Sequence, residues 1–226
     1  MKQLLATDFD GTFYIHGQIP PENRAGIEAW RANGRRFGFV TGRDLGFFKT
    51  IGELALNVDY LLLYNGALLA LADGTVVKEY LIDEATFRAL EAFISAMPDV
   101  CSCSSANGAA AYHQYYATFP DQARALAVAD AVNARFGDAV TAFVNGEHVN
   151  IGVKGSGKTQ GVLDALEYYG LSRSAAAVFG DDYNDVDMIK TLDGWAVETA
   201  RPAVKRAAPH ICKSVGEAAL KLLEEA

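Results

Sequence analysis

Leu4-Leu5-Ala6-Thr7-Asp8-Phe9-Asp10-Gly11-Thr12 runs an apolar strand into a glycine turn and sets two carboxylates two positions apart at the junction. In a strand, residues i and i+2 share a side. Continuing that geometry through Phe9 would aim Asp8 and Asp10 into one small volume while the ring turns away. Two like charges that close need a cation. In a magnesium site of hard oxygen ligands, one carboxylate can attack an electrophile and the other can shuttle a proton. Asp, Gly and Thr are also ordinary turn residues, so the five residues alone describe a solvated strand end equally well, and their surroundings must decide.

Outward from that junction, helix and strand signals alternate. Gln3 to Thr7 reads as the first strand, and Pro20-Pro21 opens a helix through Ile27 and Trp30 to Asn33-Gly34. Phe37 to Val40 is the next strand, after which Thr41-Gly42-Arg43-Asp44 starts a helix through Phe47, Phe48 and Ile51. Tyr60 to Tyr64 is a third buried strand, giving a βαβαβ order and hence a parallel sheet. Leu68 to Leu71 and Val76 to Tyr80 flank Asp73-Gly74 as a hairpin.

From residue 83 the pattern changes. Helix (84–96), strand (Val100 to Ser104), a second strand around Tyr112 to Tyr116, helix (Asp121 to Phe136) and strands Val140 to Val144 and His148 to Val153 make an α+β insert. Asn145-Gly146 makes its last two strands antiparallel, and the small residues from Ala106 to Ala111 read as a loop. Alternation then resumes with a helix from Lys158 to Tyr169, a strand from Ala175 to Phe179 and a short helix after Asn184. A strand from Gly194 to Val197 and a helix from Val215 to Leu223 complete it. The expected fold is α/β: a doubly wound, Rossmann-like parallel-sheet core (1–82 and 154–226) with a smaller α+β cap domain (83–153) inserted. No internal repeat or low-complexity tract interrupts it.

Composition narrows the chemistry. The 226 residues suffice for a substantial core, and half of them are hydrophobic. With 28 acidic against 20 basic side chains, a net charge of -8 argues against a nucleic-acid partner. It also means that any phosphate site must bring local cations, a metal with a few basic residues. Three cysteines (Cys101, Cys103, Cys212) do not suggest a disulfide framework, so a reducing cytoplasm is the expected setting. Cys101 and Cys103 with His113 lack the second cysteine pair of a zinc site. Strand-like sequence from Gln3 leaves no room for a leader, and the longest apolar stretch, Tyr60 to Ala72, is broken by Asn65-Gly66 and falls short of the roughly 20 residues that cross a bilayer.

In a doubly wound sheet, ligands sit beyond the carboxyl ends of the strands. The residues just after each expected strand are Asp8 and Asp10, then Thr41-Gly42-Arg43, then Asn65-Gly66, then Gly180-Asp181-Asp182-Tyr183-Asn184-Asp185. Carboxylates, a hydroxyl and an amide around one crevice, with Lys158 at the head of a neighbouring helix, suit phosphoryl transfer with magnesium.

These stretches resemble the four motifs of the haloacid dehalogenase-like superfamily, in its branch of capped, Cof-type (subfamily IIB) sugar-phosphate phosphatases. Asp8 to Thr12, Thr41 within Thr41-Gly42-Arg43, Lys158, and Gly180 to Asp185 stand in the family's order. An insert between the second and third resembles a type-two cap, though about 70 residues is short for that branch. The resemblance implies Asp8 as nucleophile forming an aspartyl-phosphate, and Asp10 as acid and then base. It implies Mg2+ on Asp8, the Asp10 carbonyl and Asp181, with Asn184 or Asp185 orienting its waters. Thr41 and Lys158 would hold the non-bridging oxygens, and Gly42, Arg43, Asn65 and Asn184 stand as substrate contacts or as capping and ion-pairing residues. The implied substrate is a small phosphorylated metabolite, with a phosphomutase on the same core as the alternative.

One rival motif shares Lys158. Gly152-Val153-Lys154-Gly155-Ser156-Gly157-Lys158-Thr159 satisfies the P-loop pattern between a strand and a helix, as a nucleotide-binding protein would require. It leaves Asp8, Asp10, Thr41 and Gly180 to Asp185 without a role, and its strand is expected to pair in a hairpin. Tyr112, His113, Tyr115 and Tyr116 read as packing or as a cap face, and Asn107, Asn145, His148 and Asn150 are open between the same readings. His16 reads as a solvated loop residue.

Overall fold

The structure, a computed structural model, describes residues 1–50, 57–105 and 112–225. The expected continuation of a helix to Ile51 and the expected loop from Ala106 to Ala111, Asn107 included, lie outside the described residues. The chain forms two compact units, Met1–Lys78 with Lys158–Ala226, and Glu79–Gly157. No helix among the described residues is long and apolar enough to cross a membrane.

The first unit is built on an eight-stranded sheet. Its strands are β1 (Leu4–Thr7), β2 (Arg36–Val40), β3 (Tyr60–Leu63), β4 (Leu68–Leu71), β5 (Val76–Glu79), β10 (Ala176–Gly180), β11 (Trp195–Val197) and β12 (His210–Cys212). Their order is β12-β11-β10-β1-β2-β3-β4-β5. The six strands other than β4 and β5 run parallel to one another, and β4 is antiparallel to β3. Leu4, Leu5 and Ala6 are buried without alternation because helices cover both faces of a parallel sheet. Helix α5 (Lys158–Tyr168) packs Val162, Ala165 and Leu166 against Ala6, Val40 and Leu62, joined by Met188 of α6 (Val186–Thr191). Helices α1 (Pro21–Ala32) and α8 (Val215–Glu224) lie against each other, tied where Asn23 donates to the Phe13 carbonyl and accepts from the Gly216 amide.

Two elements were not expected. Helix α7 (Pro202–Ala207) and edge strand β12 follow β11, and both are too short for a periodic pattern to announce them. Tyr64 does not extend β3 as expected: Tyr64, Asn65 and Gly66 form a tight turn with φ of 51°, 56° and 89°. Two consecutive non-glycine residues in the left-handed region mark a loop held there by its neighbours.

The second unit pairs a four-stranded antiparallel sheet with two helices. Strands β6 (Ser102–Ser105), β7 (Gln114–Thr118), β8 (Val140–Asn145) and β9 (His148–Val153) stand in the order β6-β7-β9-β8. Helices α3 (Glu84–Ser95) and α4 (Gln122–Phe136) bury Phe87, Leu90, Val128 and Val132 against Tyr115, Ala142, Val149 and Ile151. Alternation then puts Gln114, Tyr116, Thr118, His148 and Asn150 on the opposite side.

Candidate active site

Strand β1 lies between β10 and β2, and the chain leaves it in one direction toward β3 and returns on the other side for β10 to β12. That reversal opens a crevice at the carboxyl ends of β1 and β10. Asp8 sits at its floor, its amide still donating to the Phe179 carbonyl of β10 at 2.9 Å. Phe9 turns away as expected, its buried ring stacked on Tyr14 and set edge-on to Phe39.

Beyond Phe9 the strand does not continue. The Phe9 carbonyl accepts the amides of Phe13 (3.1 Å) and Tyr14 (2.7 Å), and Gly11 takes φ 87° to close the turn. A Cβ on Gly11 would also meet an Asp181 oxygen at 2.6 Å, so glycine is required there twice over. This turn gives the two carboxylates different surroundings. Asp8 is buried, whereas the Asp10 carboxylate is 45% exposed and takes Arg43 Nε at 2.9 Å and Nη2 at 3.0 Å, one on each oxygen.

What joins Asp8 instead comes from the far side of the sequence. Oxygens of Asp8, Asp181 and Asp185 lie within 4.8 Å of one another. Lys158, at the start of α5, enters with its side chain 2% exposed and donates to Asp8 Oδ1 and to Asp185 Oδ1 at 2.6 Å each. Asp185 organises the loop as well. Its Oδ2 accepts the amides of Asp181 and Asp182, at 3.0 and 3.1 Å, so the loop that presents Asp181 is wound around a fully buried carboxylate.

Burial raises Asp8 well above the usual carboxylate range, with repulsion from Asp185 and Asp181 adding to it, while the Lys158 ammonium pulls the other way. Burial likewise raises Asp181 to about 6 against a hydrogen bond from Thr12 Oγ1 at 2.5 Å. Lys158 loses solvation too, but the charges of Asp185 and Asp8 outweigh that and raise its pKa, so it stays a cation. Three acidic groups around one ammonium leave a deficit of positive charge. An all-oxygen donor set with that deficit fits a hard divalent cation.

Thr41, Gly42 and Arg43 follow β2. Thr41 is buried, and its Oγ1 accepts the Arg43 amide at 3.2 Å. Its carbonyl accepts the Asn65 amide at 2.8 Å, and Asn184 donates to Asn65 Oδ1 at 3.3 Å. The left-handed turn at Asn65 therefore joins the Thr41 loop to the acidic loop. Of the residues expected at the site, Asp8, Lys158, Asp181 and Asp185 gather most tightly. Thr41, Asn65 and Asn184 are linked to one another by hydrogen bonds with Gly42 beside Asn65, and the Asp10 and Arg43 side chains pair with each other.

Two residues were overlooked. Thr12 stood in the opening motif without a role, and only the turn at Gly11 brings its hydroxyl to Asp181. Arg201, after β11, donates its amide to the Asp181 carbonyl at 3.0 Å and pairs with Asp182 at 2.6 Å. No sequence signal marks it. The P-loop pattern fares differently: its strand, β9, lies between antiparallel neighbours, and its lysine is spent on two carboxylates.

The chain matches the family of haloacid dehalogenase-like hydrolases over residues 5–125 and 106–221. No curated protein matches it. Among solved structures it is similar to a phosphatase of the haloalkanoate enzyme superfamily from Bacteroides thetaiotaomicron, at 18% identity and TM-score 0.82, covering 100% of this chain and 95% of that one. A haloacid dehalogenase-like hydrolase from B. subtilis superposes with TM-score 0.83 at 15% identity, with 99% of each chain covered. A subclass IIB sugar phosphatase superposes with TM-score 0.79 at 18% identity, with both chains covered completely. At these identities the likeness is one of fold.

Proposed function

The chain belongs to the haloacid dehalogenase-like hydrolases, and on that premise we propose that it is a Mg2+-dependent phosphatase of a small phosphorylated metabolite, sugar phosphates foremost. The observation that carries this reading is the buried Asp8 carboxylate, 2.6 Å from the Lys158 ammonium and grouped with Asp181 and Asp185. Sugar phosphates lead because one similar structure is that of a sugar phosphatase.

In this reading Asp8 attacks phosphorus in line and the bond from phosphorus to the leaving oxygen breaks. Asp10 gives that oxygen a proton. Asp10 then takes a proton from the water that attacks the aspartyl-phosphate, releasing inorganic phosphate and restoring Asp8. Thr41 and Lys158 hold the non-bridging oxygens, and Gly42, Arg43, Asn65 and Asn184 contact the substrate. Asp8, the Asp10 carbonyl, Asp181 and Asp185 would hold Mg2+, which when bound supplies charge neutralisation for the carboxylates and the phosphoryl oxygens. The division into a core (1–82 and 154–226) and a cap (83–153) belongs to the same proposal. So does a cytoplasmic setting, supported by three free cysteines.

The test is a phosphate-release screen over sugar phosphates, nucleotides, phosphoglycolate and pyridoxal phosphate with Mg2+. Wild type hydrolyses at least one of them, and Asp8→Asn loses about three orders of magnitude or more, because an amide is a poor nucleophile. Turnover that survives Asp8→Asn rejects the assignment. Transfer of the phosphoryl group to another sugar hydroxyl, without release, would make the protein a mutase instead.

A further inference from the structure

We propose that Arg43 is an exchangeable clamp on Asp10: it holds both carboxylate oxygens and leaves them only when a phosphoryl oxygen of the substrate takes its place on the guanidinium. The inference rests on the phosphatase reading above, and it adds a step that reading does not contain.

The Arg43 fork grips both Asp10 oxygens, with Nε on one at 2.9 Å and Nη2 on the other at 3.0 Å. A carboxyl group that is to pass a proton to a leaving oxygen must turn one oxygen toward it, within hydrogen-bond reach. Gripped at both oxygens, Asp10 cannot turn toward a leaving oxygen until Arg43 lets go. The pair is built to part. Its side chains are 47% and 45% exposed, in contrast to the 2% and 10% of Lys158 and Asp8. An ion pair so open to water holds weakly.

The rest of Arg43 is arranged so that only the guanidinium needs to move. The Arg43 amide donates to Thr41 Oγ1 at 3.2 Å and its carbonyl accepts the Tyr64 amide at 3.2 Å, which fixes the main chain at the end of β2. The guanidinium lies 4.3 Å from the centre of the Phe47 ring, a platform that does not depend on the carboxylate. A planar fork that fits a carboxylate fits two phosphate oxygens equally well, and a phosphate monoester dianion offers more charge than Asp10 does. The exchange makes release of the acid–base group conditional on a phosphoryl group being present.

The test is a double-mutant cycle read by calorimetric titration with inorganic phosphate in the presence of Mg2+. In wild type, phosphate must first displace Asp10 from Arg43, a cost that Asp10→Asn removes. Asp10→Asn should therefore tighten phosphate binding about fivefold more when Arg43 is present than in the Arg43→Met background. Equal tightening in the two backgrounds would mean that Arg43 never changes partner, and would overturn the clamp. Arg43→Lys, which keeps the charge and loses the fork, should fall between. Circular dichroism spectra that match across all four proteins exclude misfolding as the cause. A wild type that hydrolyses phosphate esters while showing no coupling sinks the clamp alone. One that neither binds phosphate nor hydrolyses any ester sinks the clamp and the phosphatase reading together.

Discussion

The two sheets of this protein handle polar groups in opposite ways. In the mostly parallel eight-stranded sheet, strands such as Leu4–Thr7 and Ala176–Gly180 are buried along their whole length, so along them charged chemistry can stand only where the strand ends. Asp8, buried, and Asp181, half-buried, sit at those ends, short of positive charge. In the four-stranded antiparallel sheet, one set of side chains packs on two helices, and the alternate set carries polar groups that bond one another. Tyr116 bonds His148 Nδ1 at 2.7 Å, Thr118 Oγ1 reaches the Tyr116 hydroxyl at 3.1 Å, and Gln114 donates to Asn150 Oδ1 at 3.2 Å. The parallel architecture concentrates charge at one point that fails if a single partner is lost. The antiparallel one spreads polarity over a face that should tolerate single losses.

The contrast breaks first, if it breaks at all, at Lys158. Lys158→Met leaves Asp8 and Asp185 facing each other in a buried site with no ammonium between them. Removing one partner of a buried pair costs about 3–5 kcal/mol, and Lys158→Met should lose that much in urea unfolding without metal. Added Mg2+ should restore part of the loss. A cost below about 1 kcal/mol would mean that water reaches these carboxylates freely, and the difference between the sheets would vanish.

A smaller effect follows from pH. Asp181 rises from 3.8 to about 6 on folding, and Asp8 is raised as well, with burial the largest cause for both. The folded protein therefore holds more protons than the unfolded chain between these values, so stability without metal falls as pH rises from about 4 to about 6. For Asp181 the loss is complete above that window, and Asp8, raised well above the usual carboxylate range by burial, adds to the loss as it ionises. A divalent cation competes with those protons. Its gain in melting temperature should be larger at about pH 7.5 than at about pH 5, by a difference equivalent to roughly 2 kcal/mol. A gain that does not change with pH would remove these carboxylates as the metal's ligands.

How far the site could be read from sequence follows from the same contrast. Asp8, Thr41, Asn65 and Asp181 were legible because each follows an apolar run that reads as strand, and strand ends in such a sheet converge whatever residues they carry. Lys158 was legible as the head of a helix, although two motifs claimed it and only the antiparallel setting of β9 separates them. The backbone path to Asp10 was not legible. Alternation holds only while the backbone stays extended, and the carbonyl of Phe9 ends that by gathering two amides in a turn. Arg201 was invisible because its contact joins loops twenty residues apart with no periodicity, and β12 and α7 are shorter than the windows in which a pattern can be recognised.

The finest test falls on the polar face. Tyr116→Phe removes one hydroxyl shared by His148 and Thr118 while keeping the ring, which lies 5.3 Å from the imidazole centre. The two partners keep each other, because Thr118 Oγ1 and His148 Nδ1 are themselves 3.1 Å apart. A network that can close around the gap should lose only about 0.5–1 kcal/mol, the net worth of an ordinary hydrogen bond. The readout is hydrogen exchange at the amides of β7 and β9, which reports opening of this sheet separately from the rest of the chain. Thr118→Val added to Tyr116→Phe removes that fallback and takes both hydroxyls from His148 Nδ1, so the pair should cost more than the sum of the single changes. If Tyr116→Phe alone speeds exchange as much as the pair does, the face depends on one bond, and its tolerance is no greater than that of the charged site.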